Sequence, residues 1–192
     1  MEKVRRQFET NVFGLARMCQ LVLPGMRRQG YGRIVNVSSM GGRLTFPGAG
    51  YYHATKHAVE ALSDALRFEV QGFGVDVSVI EPGLIMTGFA ETAVGSMDGS
   101  DGEDPYTGFD EAVARVTAEN YERGLISRLG GGPEAVAEAI EHALSARSPR
   151  SLYAVTPSAH LFMRLRRLLP DRVWDALLRA GPYYQPGRKP RR

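Results

Sequence analysis

The chain of 192 residues is 43% hydrophobic and 23% charged, with a formal net charge of +3 and a single cysteine. That balance predicts one soluble domain, excludes an internal disulfide and leaves no apolar run of membrane-spanning length. Charge is unevenly placed: residues 163–192 carry nine basic and two acidic side chains, net +7, which leaves the rest of the chain at −4.

The first pattern is helical. Val4, Phe8, Val12, Leu15, Cys19 and Val22 recur at helix spacing over residues 1–29. Met1 is followed by charged residues and no secretory signal, so a cytoplasmic protein is expected. Cys19, at core spacing, reads as packing rather than as a nucleophile. In GRIVNVSSMGG (32–42), Ile34, Val35 and Val37 form a short β-branched run that stops at Ser38, Ser39 and a glycine pair. A continuous apolar run of this kind predicts a buried parallel strand. Ligands of open α/β sheets sit beyond the carboxyl ends of strands, so both serines fall where chemistry is expected.

GAGYYHATKHAVEAL (48–62) starts a second helix, continued by Ala65, Leu66 and Phe68 on its apolar face. Tyr52 and Lys56 are neighbours at i and i+4, whereas Tyr51 points roughly 140° away from Lys56. Lys56 is one of only three lysines, with Lys3 and Lys189, against twenty-one arginines. A free phenol titrates near pH ~10, and an ammonium within about 4–6 Å favours the phenolate, which would bring Tyr52 toward the range of an acid/base catalyst. A compact ammonium can also bond a sugar hydroxyl, a task for which a planar guanidinium is wide. Taken alone, the pair also fits an exposed Tyr/Lys couple on an ordinary helix. His53 and His57 share the same spacing, but no third ligand stands at motif distance and only His142 and His160 remain, so no metal site is expected.

VDVSVIEPGLIMT (75–87) predicts a second strand whose carboxyl end is Pro82-Gly83, followed by Thr87. Gly83 would let backbone approach a ligand closely, and the Thr87 hydroxyl could bond an amide or phosphate there. The acidic stretch MDGSDGEDPY (97–106) lacks calcium-loop spacing and is expected to be a polar, mobile loop. Helical patterns follow at 108–125 and 133–144, then a third strand at SLYAV (151–155). Thr156-Pro157 open a helix with Leu161, Phe162, Leu165, Leu168 and Leu169, and a shorter helix after Pro170 presents Val173, Trp174, Leu177 and Leu178. Residues 183–192 predict a flexible basic tail.

Together these residues resemble the short-chain dehydrogenase/reductases, in their single-domain branch, over nearly the whole chain. The family's serine, thirteen residues before its tyrosine, falls on Ser39; its tyrosine is Tyr52 and its lysine Lys56. Its asparagine, in an N-x-x-G pattern, falls on Asn11 in NVFG, and its P-G-x-x-x-T signature on Pro82, Gly83 and Thr87. The resemblance implies that Tyr52 exchanges a proton with the substrate oxygen while Lys56 lowers its pKa and holds the nicotinamide ribose. It implies that Ser39 fixes the carbonyl and Asn11 holds a water in a proton relay. Pro82, Gly83, the backbone at Ile85 and the side chain of Thr87 would meet the nicotinamide end of NAD or NADP. The implied reaction interconverts a secondary alcohol and a carbonyl by hydride transfer. The segment after Thr87 would close over the substrate, with Met86, Phe89, Met97 and Tyr106 as apolar walls. Such walls favour a lipophilic small-molecule alcohol or ketone of steroid, retinoid or lipid type. The resemblance also implies a homodimer or homotetramer built on the helices at 1–29 and 51–72.

The departure is at the amino end. The family opens with strand, glycine-rich turn and helix, and GYGRIV, GAGYYH and LGGGPEAV do not supply that unit. The expectation is therefore a single domain, 1–192, that forms the carboxyl-terminal portion of a Rossmann domain, with about 90 residues absent before it. Its fold class is α/β: a partial doubly wound parallel sheet of three strands with flanking helices. NAD and NADP are not distinguished, because the residues that would read the difference are absent. The rival reading is a noncatalytic association module, or a membrane-surface binder using the basic carboxyl end. Peripheral membrane contact ranks below a solvated basic face, and nucleic acid is not expected without an aromatic-interleaved basic stretch.

Overall fold

The computed structural model describes residues 1–95, 104–122 and 127–183. Met97, most of the acidic stretch, the end of the helix expected at 108–125 and the tail beyond Tyr183 lie outside the described residues.

Three strands, β1 (Gly32–Val37), β2 (Val75–Pro82) and β3 (Leu152–Val155), form a wholly parallel sheet in that order. The register pairs Val37 with Ile80 and Pro82 with Val155, so all three carboxyl ends open on one edge. Parallel strands need crossover helices, and these cover both faces. On one face Ile34, Val75 and Val77 pack with Cys19, Val70, Leu15, Leu23, Met26 and Leu66. These helical residues belong to α2 (Leu15–Gln29) and α3 (Gly50–Val70). On the other face Val35, Ile80, Tyr153 and Val155 pack with Ala135, Val136, Ala139, Ile140 and Ala143 of α6 (Pro133–Ser145). The alternation of Ile34 and Val35 between the two clusters follows from the two-residue side-chain period of a strand. This is the doubly wound arrangement expected from the sequence.

The first helix is not uniform. α1 (Glu2–Phe8) passes through a π-helical turn, Glu9–Gly14, before α2 begins. Val12 is buried there, while Val22, expected on the apolar face, is largely exposed and Leu23 takes its place in the core. The remaining helices are α4 (Phe89–Gly95), α5 (Thr107–Glu122), α7 (Pro157–Leu168) and α8 (Asp171–Ala180). Trp174 of α8 is buried and stacks near Phe46, which also meets Phe162 edge-on, so the carboxyl helices close over the loop that leads into α3. No helix among the described residues is long and apolar enough to cross a membrane.

Candidate active site

The carboxyl end of β1 and the start of α3 build the site. Ser38 continues the ladder, its N–H donating to the Ile80 carbonyl at 2.8 Å. Ser39 then leaves the sheet and caps a short 3-10 turn, Met40–Gly42: its Oγ accepts the Gly41 N–H at 3.1 Å. A hydroxyl in this capping position is a standard way to satisfy the first free N–H of a turn. The Ser39 hydroxyl also reaches the Pro82 carbonyl at 3.5 Å and stands close enough to the Tyr52 phenol to lower its pKa. Tyr52 stands in the first turn of α3, its ring between Phe89, at 5.6 Å between centroids, and His53 at 5.7 Å. Ser39 and Tyr52 therefore converge as the sequence spacing predicts.

Lys56 lies one turn further along. Its Nζ is 5.8 Å from the centroid of the Tyr52 ring and donates to the Val37 carbonyl at 3.1 Å. The expected lowering of the Tyr52 pKa is not what this geometry produces. Burial pushes the phenol up and the Ser39 hydrogen bond pulls it partly back. The ammonium lies against the ring rather than at the phenolic oxygen, which is why it does not govern that titration. Burial also pushes Lys56 down, opposed by the Glu60 carboxylate one turn away.

Asn11 sits in the π-helical turn and donates from Nδ2 to Thr55 Oγ1 at 3.1 Å. Thr55, fully buried, donates in turn to the Tyr52 carbonyl at 2.7 Å. Asn11 is thus keyed to the backbone of the first turn of α3 through Thr55.

Behind the turn lies a buried charge cluster. Arg43 pairs with Glu60 at 2.9 Å and with Glu81 at 2.8 Å, and both carboxylates are almost completely buried. Two carboxylates share one cation, and burial, opposed by a Ser38 hydrogen bond, pushes Glu60 up to about 7.

The P-G-x-x-x-T residues divide. Pro82 ends β2. A Cβ at Gly83 would collide with Thr156 Oγ1, at 2.5 Å, and with the main chain of Ala159, at 2.7 Å. The close approach of α7 is by itself enough to require a glycine here. Ile85 forms a parallel bridge with Gly131 through its neighbours: Gly131 N–H donates to the Leu84 carbonyl at 3.0 Å and Met86 N–H to the Gly131 carbonyl at 2.8 Å. The peptide groups of Ile85 itself therefore face the opposite side, with no backbone partner among the described residues. The Thr87 hydroxyl accepts the Phe89 N–H at 3.3 Å and keeps its own proton to donate. A free peptide edge, a hydroxyl donor and an ammonium fit the carboxamide and ribose hydroxyls of a nicotinamide nucleotide.

The walls also differ from expectation. Phe89 packs on Tyr52 as expected, but Tyr106 pairs with Phe109 within its own helical segment, centroids 6.5 Å apart. Tyr121 of α5 stands at the site instead, 6.2 Å from Phe89. Its phenol is pushed up to about 12 by burial and by the neighbouring Tyr52. No sequence signal singles it out. Glu60, four residues after Lys56 on the same helix face, was open to a spacing argument. His57 Nδ1 lies 2.9 Å from the His53 carbonyl, and no group of three or more metal-ligating side chains occurs among the described residues.

A family model described as short chain dehydrogenase matches residues 1–97, a span that contains every residue named above from Asn11 to Phe89. The chain belongs to the short-chain dehydrogenase family. Within that family it is 38% identical over 176 residues to the uncharacterized oxidoreductase YbbO of Escherichia coli, covering 92% of this chain and 59% of the relative. It is 34% identical over 179 residues to the 3-ketodihydrosphingosine reductase of Bacteroides thetaiotaomicron, covering 93% and 64%. A solved short-chain dehydrogenase/reductase from Burkholderia phymatum in complex with NAD superposes with a TM-score of 0.64 at 27% identity, covering 93% of this chain and 60% of that one. The chain thus spans roughly three fifths of the length of these relatives.

Proposed function

We propose that the protein carrying this chain is a nicotinamide-dependent oxidoreductase that interconverts a lipophilic ketone and its secondary alcohol. The observation that carries this reading is the convergence of the Ser39 hydroxyl and the Tyr52 phenol beside an ammonium at the carboxyl end of β1. Bound at this edge, NAD or NADP would supply or accept the hydride. The chain's own residues do the rest. Ser39 orients the substrate oxygen, Tyr52 gives or takes the proton at that oxygen, and Lys56 holds its charge within reach of the ribose. Asn11, tied to Thr55, is placed to hold a water behind Tyr52. The Ile85 peptide edge and Thr87 hold the carboxamide, next to the end of β2 at Pro82 and Gly83.

The lipophilic substrate class is favoured by the Phe89 and Tyr121 rings that stand over Tyr52. The similarity to a reductase of 3-ketodihydrosphingosine points the same way. A homodimer or homotetramer is favoured by exposed apolar residues on the helices: Phe13, Met18 and Leu21 on one, Tyr51, Leu62 and Phe68 on the other. Light scattering on the full-length protein should give a mass of at least two chains.

The decisive experiment follows nicotinamide absorbance with the full-length protein, NADH or NADPH, and a series of ketones of rising chain length. Activity should rise with chain length. Tyr52→Phe should abolish turnover with cofactor affinity, measured by calorimetry, nearly intact. Wild-type turnover in Tyr52→Phe would overturn the reading.

A further inference from the structure

His53 is the residue after the phenol and has no part in the chemistry above. Its imidazole is 5% exposed, and both ring nitrogens are engaged by the loop between β1 and α3. Nε2 lies 3.1 Å from the Phe46 N–H, and Nδ1 lies 3.0 Å from the Gly41 carbonyl. A peptide N–H can only donate, so Nε2 must be the acceptor; a carbonyl can only accept, so Nδ1 must carry the proton. The partners alone therefore specify a neutral ring in one tautomer.

Gly41 passes this constraint on. The same residue whose carbonyl receives the His53 proton gives its own N–H to Ser39 Oγ at 3.1 Å. No slack exists between ring and turn, because a Cβ at Gly41 would stand 2.5 Å from His53 Nδ1. With one Ser39 lone pair fixed by Gly41, and only a marginal contact to the Pro82 carbonyl at 3.5 Å, the hydroxyl proton is left free to point toward Tyr52 and a substrate oxygen.

From this chain of contacts we infer that His53 is a positioning residue: it fixes the orientation of the Ser39 hydroxyl by clamping Gly41 and Phe46 to the first turn of α3. The inference rests on the role proposed for Ser39 but concerns a residue outside that proposal. A charged ring would turn Nε2 into a donor facing the Phe46 donor and release one end of the clamp. The titratable groups against the ring are His57, on its own helix, and the Tyr52 phenol; burial keeps the ring neutral.

Two measurements on the full-length protein test this. The first is the ¹⁵N shift pattern of His53, assigned by its loss in His53→Gln. It should show the Nδ1–H tautomer at neutral pH; an Nε2–H tautomer or a charged ring there overturns the inference. The second is a double-mutant cycle with Ser39→Ala. His53→Leu keeps shape without hydrogen bonds and should lower kcat at least about tenfold, the scale of one lost hydrogen bond, with KM for the cofactor unchanged. His53→Gln offers one donor and one acceptor in one plane and should recover most of that loss. In the Ser39→Ala background, His53→Leu should cost little more, because the group it orients is gone. Full additivity of the two changes overturns the inference. Should His53→Leu fail to fold, the cycle is run with His53→Gln and the tautomer decides. Turnover that survives Tyr52→Phe would instead sink the proposed reaction and leave the tautomer result standing.

Discussion

The ammonium of Lys56 donates to the main-chain carbonyl of Val37 at 3.1 Å while lying over the face of Tyr52. A carbonyl and a ring face can both be satisfied by a compact ammonium, but a planar guanidinium at the same site would project past the strand end. Lys56→Arg should reduce turnover in the proposed reaction at least a hundredfold, within the ~10²–10⁴ span for a mispositioned acid/base group. The basic limb of the pH–rate profile should stay in place, because the ammonium does not govern the Tyr52 titration. Steady-state rates across pH check both.

Thr55 joins the asparagine to the tyrosine. Thr55→Val keeps the volume and removes the hydroxyl that accepts from Asn11 and donates to the Tyr52 carbonyl. The half-buried Asn11 amide is left without its partner, at a cost of about 0.5–1.5 kcal/mol in stability. Urea unfolding of variant and wild type measures this, and kcat should fall together with stability because Asn11 loses its anchor.

Glu60 titrates near neutrality, pushed up to about 7. Its folded pKa lies above that of a free glutamate, so the folded state binds the extra proton between about pH 4.3 and that value. The stability it contributes is full below about pH 4.3 and is lost as pH rises through 7. The groups facing it are Arg43, Glu81, Ser38, Asp64 and Lys56. Glu60→Gln stays neutral at every pH, so its stability relative to wild type should improve by roughly 3 kcal/mol from acid to mild base. Denaturant midpoints at three pH values test the slope; a difference independent of pH would remove Glu60 as the titrating group.

Tyr121 brings a second phenol beside the first. Tyr121→Phe keeps the ring packing against Phe89 and removes only the hydroxyl. KM for the ketone should rise severalfold, up to about tenfold for one hydrogen bond, with little change in the KM for cofactor.

Gly83→Ala would place a methyl group against Thr156 and the first turn of α7. The backbone of Ala159 cannot yield as a side-chain end can, so a loss of about 1–3 kcal/mol is expected. Thermal unfolding should show it.

Much of this was legible in the sequence, and the exceptions share a cause. Ile34 and Val35 and the run from Val75 to Ile80 announced buried parallel strands because both faces are covered by helices, whereas Val37 at the end of β1 is exposed. Ser39, Tyr52 and Lys56 were legible because i and i+4 on a helix meet, and because strand ends face the ligand edge. The packing demand on Gly83 was hidden because the sequence cannot show that α7, more than seventy residues later, passes over it. The same distance hid the Arg43–Glu81 pair and the Asn11–Thr55 bond, whose partners are 38 and 44 residues apart. Tyr52 was expected to have a low pKa from its neighbour's charge alone; burial, a property of the whole fold, outweighed it.

The π-helical turn at Glu9–Gly14 makes the long amino-terminal helix a two-phase object. Each residue of an α-helix advances 100°, so the one extra residue in that turn offsets the faces of α1 and α2 by about that angle. Asn11 sits at the offset itself, and its grip on Thr55 depends on the surplus residue remaining there. Removing any single residue between 9 and 14 would leave composition and helix content almost untouched. It would nonetheless rotate one half of the helix against the other, like a bolt advanced by a quarter turn, and carry the asparagine off its mark.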